Sequence, residues 1–315
     1  MECLNSKVRE PGARFARTAA LGVILLAAIT SGCSIHNYAV NRAGDVLAAS
    51  GGGFGADDDP ELIRAAAPFS LKLMESVLAE APHHAGLLAA ASSGFTQYSF
   101  AFVQLDADEV EGRDVAAARA LRNRARALYH RARDYGLRAL EEQHRGFRAQ
   151  LETDTTPALA RLSRNDSAPL YWTTVAWAAE ISLSKDSPSA IAGLRVVDRM
   201  VERLRELDLD MDRGALHAFL ISYEMGRPGA RNPEARARLH FEQAVRLSAG
   251  QKAGPYVAYA ESVCVALQNR REFVAMLERA TAIDPAARPE WRLENAVMQR
   301  RARWLLTQAD QLFID

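Results

Sequence analysis

The sequence predicts an all-α protein: antiparallel helical hairpins stacked as an α-solenoid and closed by a long C-terminal helix. Three observations lead there. Period-two runs of Val, Ile and Thr are nearly absent, as are Asn-Gly and Asp-Gly hairpin turns. Ala, Leu, Arg and Glu, all strong helix formers, dominate, and apolar residues recur at helical spacing throughout. The loops between these segments are short, so sequence neighbours must pack as antiparallel pairs.

A short helix is expected over 37–49, then a flexible loop over 50–58 that carries Gly51, Gly52, Gly53 and Gly55. Asp59-Pro60-Glu61 is a helix start, with an Asp cap, Pro at the first position and an acid in the first turn. Its apolar face is read as Leu62, Ala66, Phe69, Leu73 and Val77, and Pro82 ends it. Further helices are expected over 83–105, 114–142, 156–163, 167–183, 188–207 and 213–225. Ala125, Tyr129 and Ala132 share one face of the helix over 114–142, and Leu216, Phe219, Leu220 and Tyr223 one face of the helix over 213–225. Asn232-Pro233-Glu234 opens a helix to 248. Two more are expected over 255–267 and 271–283. The long C-terminal helix spans 289–313, with Met298, Ala302, Leu305, Ala309 and Leu312 aligned.

A repeat register runs through this series. Ala237-Phe241-Ala244 and Ala125-Tyr129-Ala132 place small residues on either side of an aromatic, so that two helices approach closely while the ring fills the gap beside them. Ala280 lies 36 positions after Ala244, and Asp284-Pro285 closes the unit as Pro82 closes the first hairpin. That period is close to the tetratricopeptide repeat. The Trp and Gly-Tyr elements of its first helix are poorly preserved; an irregular helical bundle is the alternative.

The N-terminus reads as an export signal. Lys7, Arg9, Arg14 and Arg17 precede an apolar run over 19–29, too short for the roughly 20 residues a span needs. Ser31-Gly32-Cys33 then places a thiol after small residues, the lipoprotein form of the cleavage site, with Thr30 a tolerated departure. The alternative is an ordinary signal peptide with a chance cysteine. The expected organisation is a signal at 1–32, a lipid-anchored segment at 33–58 and a helical domain at 59–315. Ser34 after the acylated Cys33 points to the outer membrane, facing the periplasm. After processing only Cys264 remains, inside an apolar run, so no internal disulfide can form.

Composition excludes several function classes. Basic and acidic residues number 39 each, so no net field draws the chain to nucleic acid. No G-x-S-x-G, H-E-x-x-H, C-x-x-C or P-loop occurs. The glycines of 51–55 precede Asp57, Asp58 and Asp59, which would repel phosphate, and the spacing is not that of an EF-hand. Adjacent His83 and His84 cannot share a metal on one helix face; they read as solvated. His217 beside an apolar stripe reads as a hydrogen-bonded packing residue, and Glu180 and Glu224 have no paired carboxylate at fixed spacing. No catalysis, cofactor or metal is expected. The aromatics cluster: Phe95, Tyr98 and Phe102 share a face, Phe100 points elsewhere, Tyr171, Trp172 and Trp177 form a second group, and Tyr223, Tyr256 and Tyr259 recur later. Core packing explains such clusters, and so does an aromatic-lined cavity for an apolar or amphipathic ligand.

Five stretches resemble one family: 94–103 (GFTQYSFAFV), 170–186 from LYW to LSKD, 214–224 from GALH to Tyr223-Glu224, 255–261 (PYVAYAE) and 299–306 (QRRARWLL). In this order they look like the T-component proteins of TRAP transporters, over essentially the whole mature chain. The resemblance implies a periplasmic lipoprotein of degenerate tetratricopeptide hairpins that associates with the substrate-binding P subunit of a tripartite transporter. It also implies a homo-oligomer, with a trimer expected, and a hydrophobic channel through each subunit for apolar or amphipathic molecules. Candidates to line it are Tyr98, Phe102, Tyr171, Trp172, Trp177, Tyr223 and Tyr259; the lipidation site is Cys33. A tetratricopeptide scaffold lipoprotein of outer-membrane or cell-wall assembly is the alternative function.

Overall fold

The computed structural model describes residues 40–49, 54–184 and 187–314. The export signal, Cys33 and most of the glycine-rich loop lie outside the described residues. The chain divides into a leading unit, Met1–Ala43, and a large one, Gly44–Asp315. Among the described residues every regular element is helical and none is a strand.

Helix α1 covers 40–49. Helix α2, Pro60–Glu80, begins where Asp59 accepts the amides of Glu61 and Leu62 at 3.0 Å. Its buried face is Ile63, Ala67, Leu71, Met74 and Leu78, not the series the periodicity selected. Leu62, Phe69 and Leu73 are 56%, 72% and 39% exposed. Two apolar series run along α2 one position apart, so spacing alone does not choose; the buried one carries the longer aliphatic chains and gains more apolar contact.

His84, expected to be solvated, instead caps α3, Ala85–Ser99, accepting the amide of Leu87 at 3.1 Å. Exposed His83 pairs with Glu142. The helical path passes through a π-helical segment, Phe100–Gln104, into α4, Leu105–Glu111. Helix α5, Val115–Gln143, capped by Asp114, buries Ala125, Tyr129 and Ala132 as expected. Left-handed Gly146 leads into a short helix that the periodicity does not announce, α6 (Phe147–Thr153). Then come α7, Thr155–Ala160, and α8, Ser167–Ser182. The helix expected over 188–207 is broken at Gly193 into α9, Pro188–Ala192, and α10, Leu194–Asp208. A side chain at 193 would press on the Trp177 indole.

Helix α11, Met211–Gly226, starts through three left-handed residues, and α12, Pro233–Leu247, buries Ala237, Phe241 and Ala244. Helix α13, Ala253–Tyr259, runs into a second π segment, Ala260–Cys264. Helix α14 is Arg270–Thr281. The C-terminal helix is divided into α15, Arg292–Thr307, and α16, Ala309–Leu312, after a 3-10 turn at Pro289–Trp291.

Three apolar cores organise the large unit: one under α2, α3 and α5, one among α5, α8, α10 and α11, and one among α12, α13, α14 and α15. Many helices next to one another in sequence pack together, α5 also lies along α3 and α8, and α15 returns to α2. Cys264 is fully buried in the third core, where burial and then Glu272 push its thiol up to about 12, so it behaves as a small hydrophobe.

Candidate functional site

The aromatic candidates fall into separate groups. Tyr98 and Phe102 belong to the first core with rings 5.8 Å apart. The Arg64 guanidinium lies 4.9 Å above Phe102, and Arg124 donates to the Tyr98 hydroxyl at 3.3 Å. Phe102 borders a cleft of about 350 Å³ whose wall mixes Pro60 and Val297 with the charged Asp58, Glu61, Arg300 and Arg303. In the second core Tyr171 meets Trp172 edge-on at 5.0 Å, and Phe219 bridges Tyr171 (6.5 Å) to Tyr223 (5.3 Å). Phe219 is not among the sequence candidates, although its spacing of four from Tyr223 on one helix carries the signal. The Tyr223 hydroxyl donates to Asp198. Half-buried Trp177 stands apart under Arg133, whose guanidinium is 5.0 Å from its ring. Tyr259 is in the third core, fully buried and stacked on Phe241 at 4.5 Å. One continuous row forms, Trp172, Tyr171, Phe219 and Tyr223; Tyr98 with Phe102, Trp177 and Tyr259 lie outside it.

A charged seam joins the two ends of the large unit. Asp106 of α4 accepts Arg64 of α2 at 2.5 Å and Arg300 of α15 at 2.8 Å. Arg300 also pairs with Glu109 at 2.7 Å. Next to it, buried Arg301 pairs with Asp108 at 3.0 Å and with Glu261, and its guanidinium lies 4.3 Å over Trp304. Arg122 holds Asp108 and Glu111 from the other side. The carboxylates come from the helix just after the first π segment and from inside the second. A π turn inserts one residue and rotates the helix beyond it, and here it accompanies the delivery of Asp106, Asp108 and Glu261 to α15. The residues of α4 and α15 that meet lie more than 190 positions apart (Arg300 and Glu109, for example), which no local pattern reveals.

A second polar cluster is buried between α10, α11 and α12. Glu224, fully buried, accepts Arg205 at 2.5 Å and Arg236 at 2.8 Å. His217 and His240 share a contact of 2.8 Å between their Nδ1 atoms, and His217 Nε2 lies 3.3 Å from Asp210. Burial, then the positive charge of Arg205 and the nearness of His217, lower the His240 pKa to about 4; burial lowers His217 as well, against the pull of Asp210. Both therefore fold as neutral rings, so the sign is fixed: the unfolded chain binds more protons below about 6.5. Stability should be level above pH 6.5 and fall by roughly 3 kcal/mol from His240 alone between pH 6.5 and 4. Denaturant unfolding of His240→Gln should show a flatter pH profile over that window; an unchanged profile would assign the loss elsewhere. Both rings are buried and in polar contact, the placement expected of His217.

Among the described residues no cluster of three or more His, Cys, Asp or Glu is arranged to hold a metal ion. No described helix is long and apolar enough to cross a membrane.

Comparison with known proteins adds two findings. A family model described as TRAP transporter T-component matches residues 56–313. A protein of Treponema pallidum (strain Nichols), described as uncharacterized, is 29% identical over 267 residues, covering 83% of each chain.

Proposed function

The chain belongs to the TRAP transporter T-component family, and from that premise we propose that it is a non-catalytic lipoprotein that docks on the substrate-binding P subunit and holds an apolar or amphipathic ligand. The observation that carries this reading is the family match over residues 56–313, nearly the whole helical unit. Membership makes the chain an accessory component of a TRAP transport system; the ligand is supported by the aromatic row of Tyr171, Trp172, Phe219 and Tyr223. Burial of Ala125-Tyr129-Ala132 and Ala237-Phe241-Ala244 supports a tetratricopeptide-like stacking of the hairpins. A homo-oligomer, expected to be a trimer, completes the assembly.

Cys33 is the proposed acylation site, with the protein held at the outer membrane and facing the periplasm. A diacylated, N-acylated cysteine buries enough methylenes for stable anchoring. Cys33→Ser should move the protein from the membrane to the soluble fraction, read by fractionation and immunoblot; retention in the membrane would refute the anchor.

In-cell cross-linking of the tagged chain tests the partner. The P subunit should dominate the cross-linked products. Recovery of outer-membrane or cell-wall assembly proteins instead would establish the scaffold function.

A further inference from the structure

Helix α2 is apolar on two sides. Ile63, Ala67, Leu71, Met74 and Leu78 are buried on the first core. The opposite side carries Leu62, Ala66, Phe69 and Leu73, spaced 4, 3 and 4 so that they stack in one row. Leu62 and Phe69 are more than half exposed, and Leu73 is exposed as well. No charge interrupts the row. Arg64 is drawn away to Asp106, and Lys72 stands at the margin, held by Glu75. A surface helix ordinarily keeps a polar outer side, and a contiguous exposed apolar row marks an interaction surface.

Area and tether decide what covers it. The row exposes on the order of 300 Å², against roughly 800 Å² on each partner of a stable protein interface. That is too little to hold a second copy or another protein by itself. It suffices for a surface to which the chain is already attached, because a tether replaces free diffusion by a high effective concentration. The tether is short. Cys33 and Gly44 are eleven positions apart, a reach of about 40 Å at full extension. Gly44 packs against the ring of His84, the cap of α3, four positions after α2 ends. A lipid on Cys33 is therefore confined to the neighbourhood of the turn between α2 and α3.

We infer that the outer row of α2 rests on the bilayer surface that holds the Cys33 lipid, with Leu62, Phe69 and Leu73 entering the head-group boundary. This rests on the acylation of Cys33 proposed above and adds a second contact, made by the protein itself, that fixes which side of the helical unit faces the membrane. The apolar face of an interfacial helix sinks about 5–10 Å, a depth that leucine and phenylalanine side chains reach. Because the row lacks charge, the contact needs no anionic lipid and survives salt, unlike the adsorption of a basic helix.

The test uses the lipidated chain in phosphatidylcholine vesicles, with Phe69→Trp as the reporter. The four native tryptophans lie outside α2, so the emission gained over the unsubstituted chain reads position 69. Brominated phosphatidylcholine should quench most of that gained emission, equally in low and high salt. Adding Leu62→Gln and Leu73→Gln should abolish the quenching while the chain still floats with the vesicles. No quenching in a floating chain, or quenching that persists in the triple variant, would overturn the docking and leave the anchor intact. Blue-shifted emission that lipid does not quench, with self-association lost in the triple variant, would assign the row to a second copy and overturn the docking too. A chain that does not float would overturn anchor and docking together.

Discussion

Gly136→Ala is expected to destabilise the protein by about 3 kcal/mol, although helix propensity alone favours alanine by roughly 1 kcal/mol. Gly136 sits where α5 crosses α3 and α8. A Cβ there would overlap the Thr173 hydroxyl and lie 2.9 Å from the Ser92 hydroxyl. Neither neighbour can yield easily, because both are fully buried and Thr173 is tied to the Pro169 carbonyl at 2.6 Å. The steric term outweighs propensity, and Gly136→Val should prevent folding. Gly112, in right-handed helical conformation at φ −65° and with open space for 4 Å around the position a Cβ would take, is the control. Gly112→Ala should be neutral or slightly stabilising. Thermal unfolding distinguishes the two; equal effects would mean that the helix crossing is looser than these distances imply.

The seam carries the second large effect. Arg301→Ala leaves Asp108 and Glu261 without the guanidinium that neutralises them, in a place where Arg301 itself is buried. Removing one partner of a buried ion pair costs about 3–5 kcal/mol. Asp108 keeps Arg122 and Glu261 is partly exposed, so the lower end applies. The loss should appear locally as faster amide exchange in α15. A double-mutant cycle of Arg301→Ala with Asp108→Ala should give a coupling of roughly 1–2 kcal/mol; additivity would mean that the seam does not hold α15.

Much of the fold is legible in the sequence because helix starts have local chemistry. Asp59-Pro60, Asp114 and Asn232-Pro233 mark true beginnings, and Ala125-Tyr129-Ala132 is the buried face expected. Misreadings occur where tertiary packing decides. Helix α6 is seven residues long with only Phe147 and Leu151 buried, too little for a periodic signal. The buried stripe of α2 is one position away from the one that periodicity selects. The π segments insert a residue that no propensity announces.

The site is less legible than the fold. Aromatics are found as types, but only contacts across helices separate the row at Tyr171 from the isolated Trp177 and the core residue Tyr259. Phe219, the bridge in that row, reads from sequence only as part of an apolar face. The seam needs Asp106, Asp108 and Glu261 to meet Arg300 and Arg301. Such meetings are fixed by topology.

Calorimetric titration of the purified Cys33→Ser chain with the P subunit of its own transport system tests the central claim most directly. Saturable binding at a fixed ratio, in the presence or absence of an apolar ligand, is the predicted result. No heat and no complex under either condition, with both proteins folded, would contradict it.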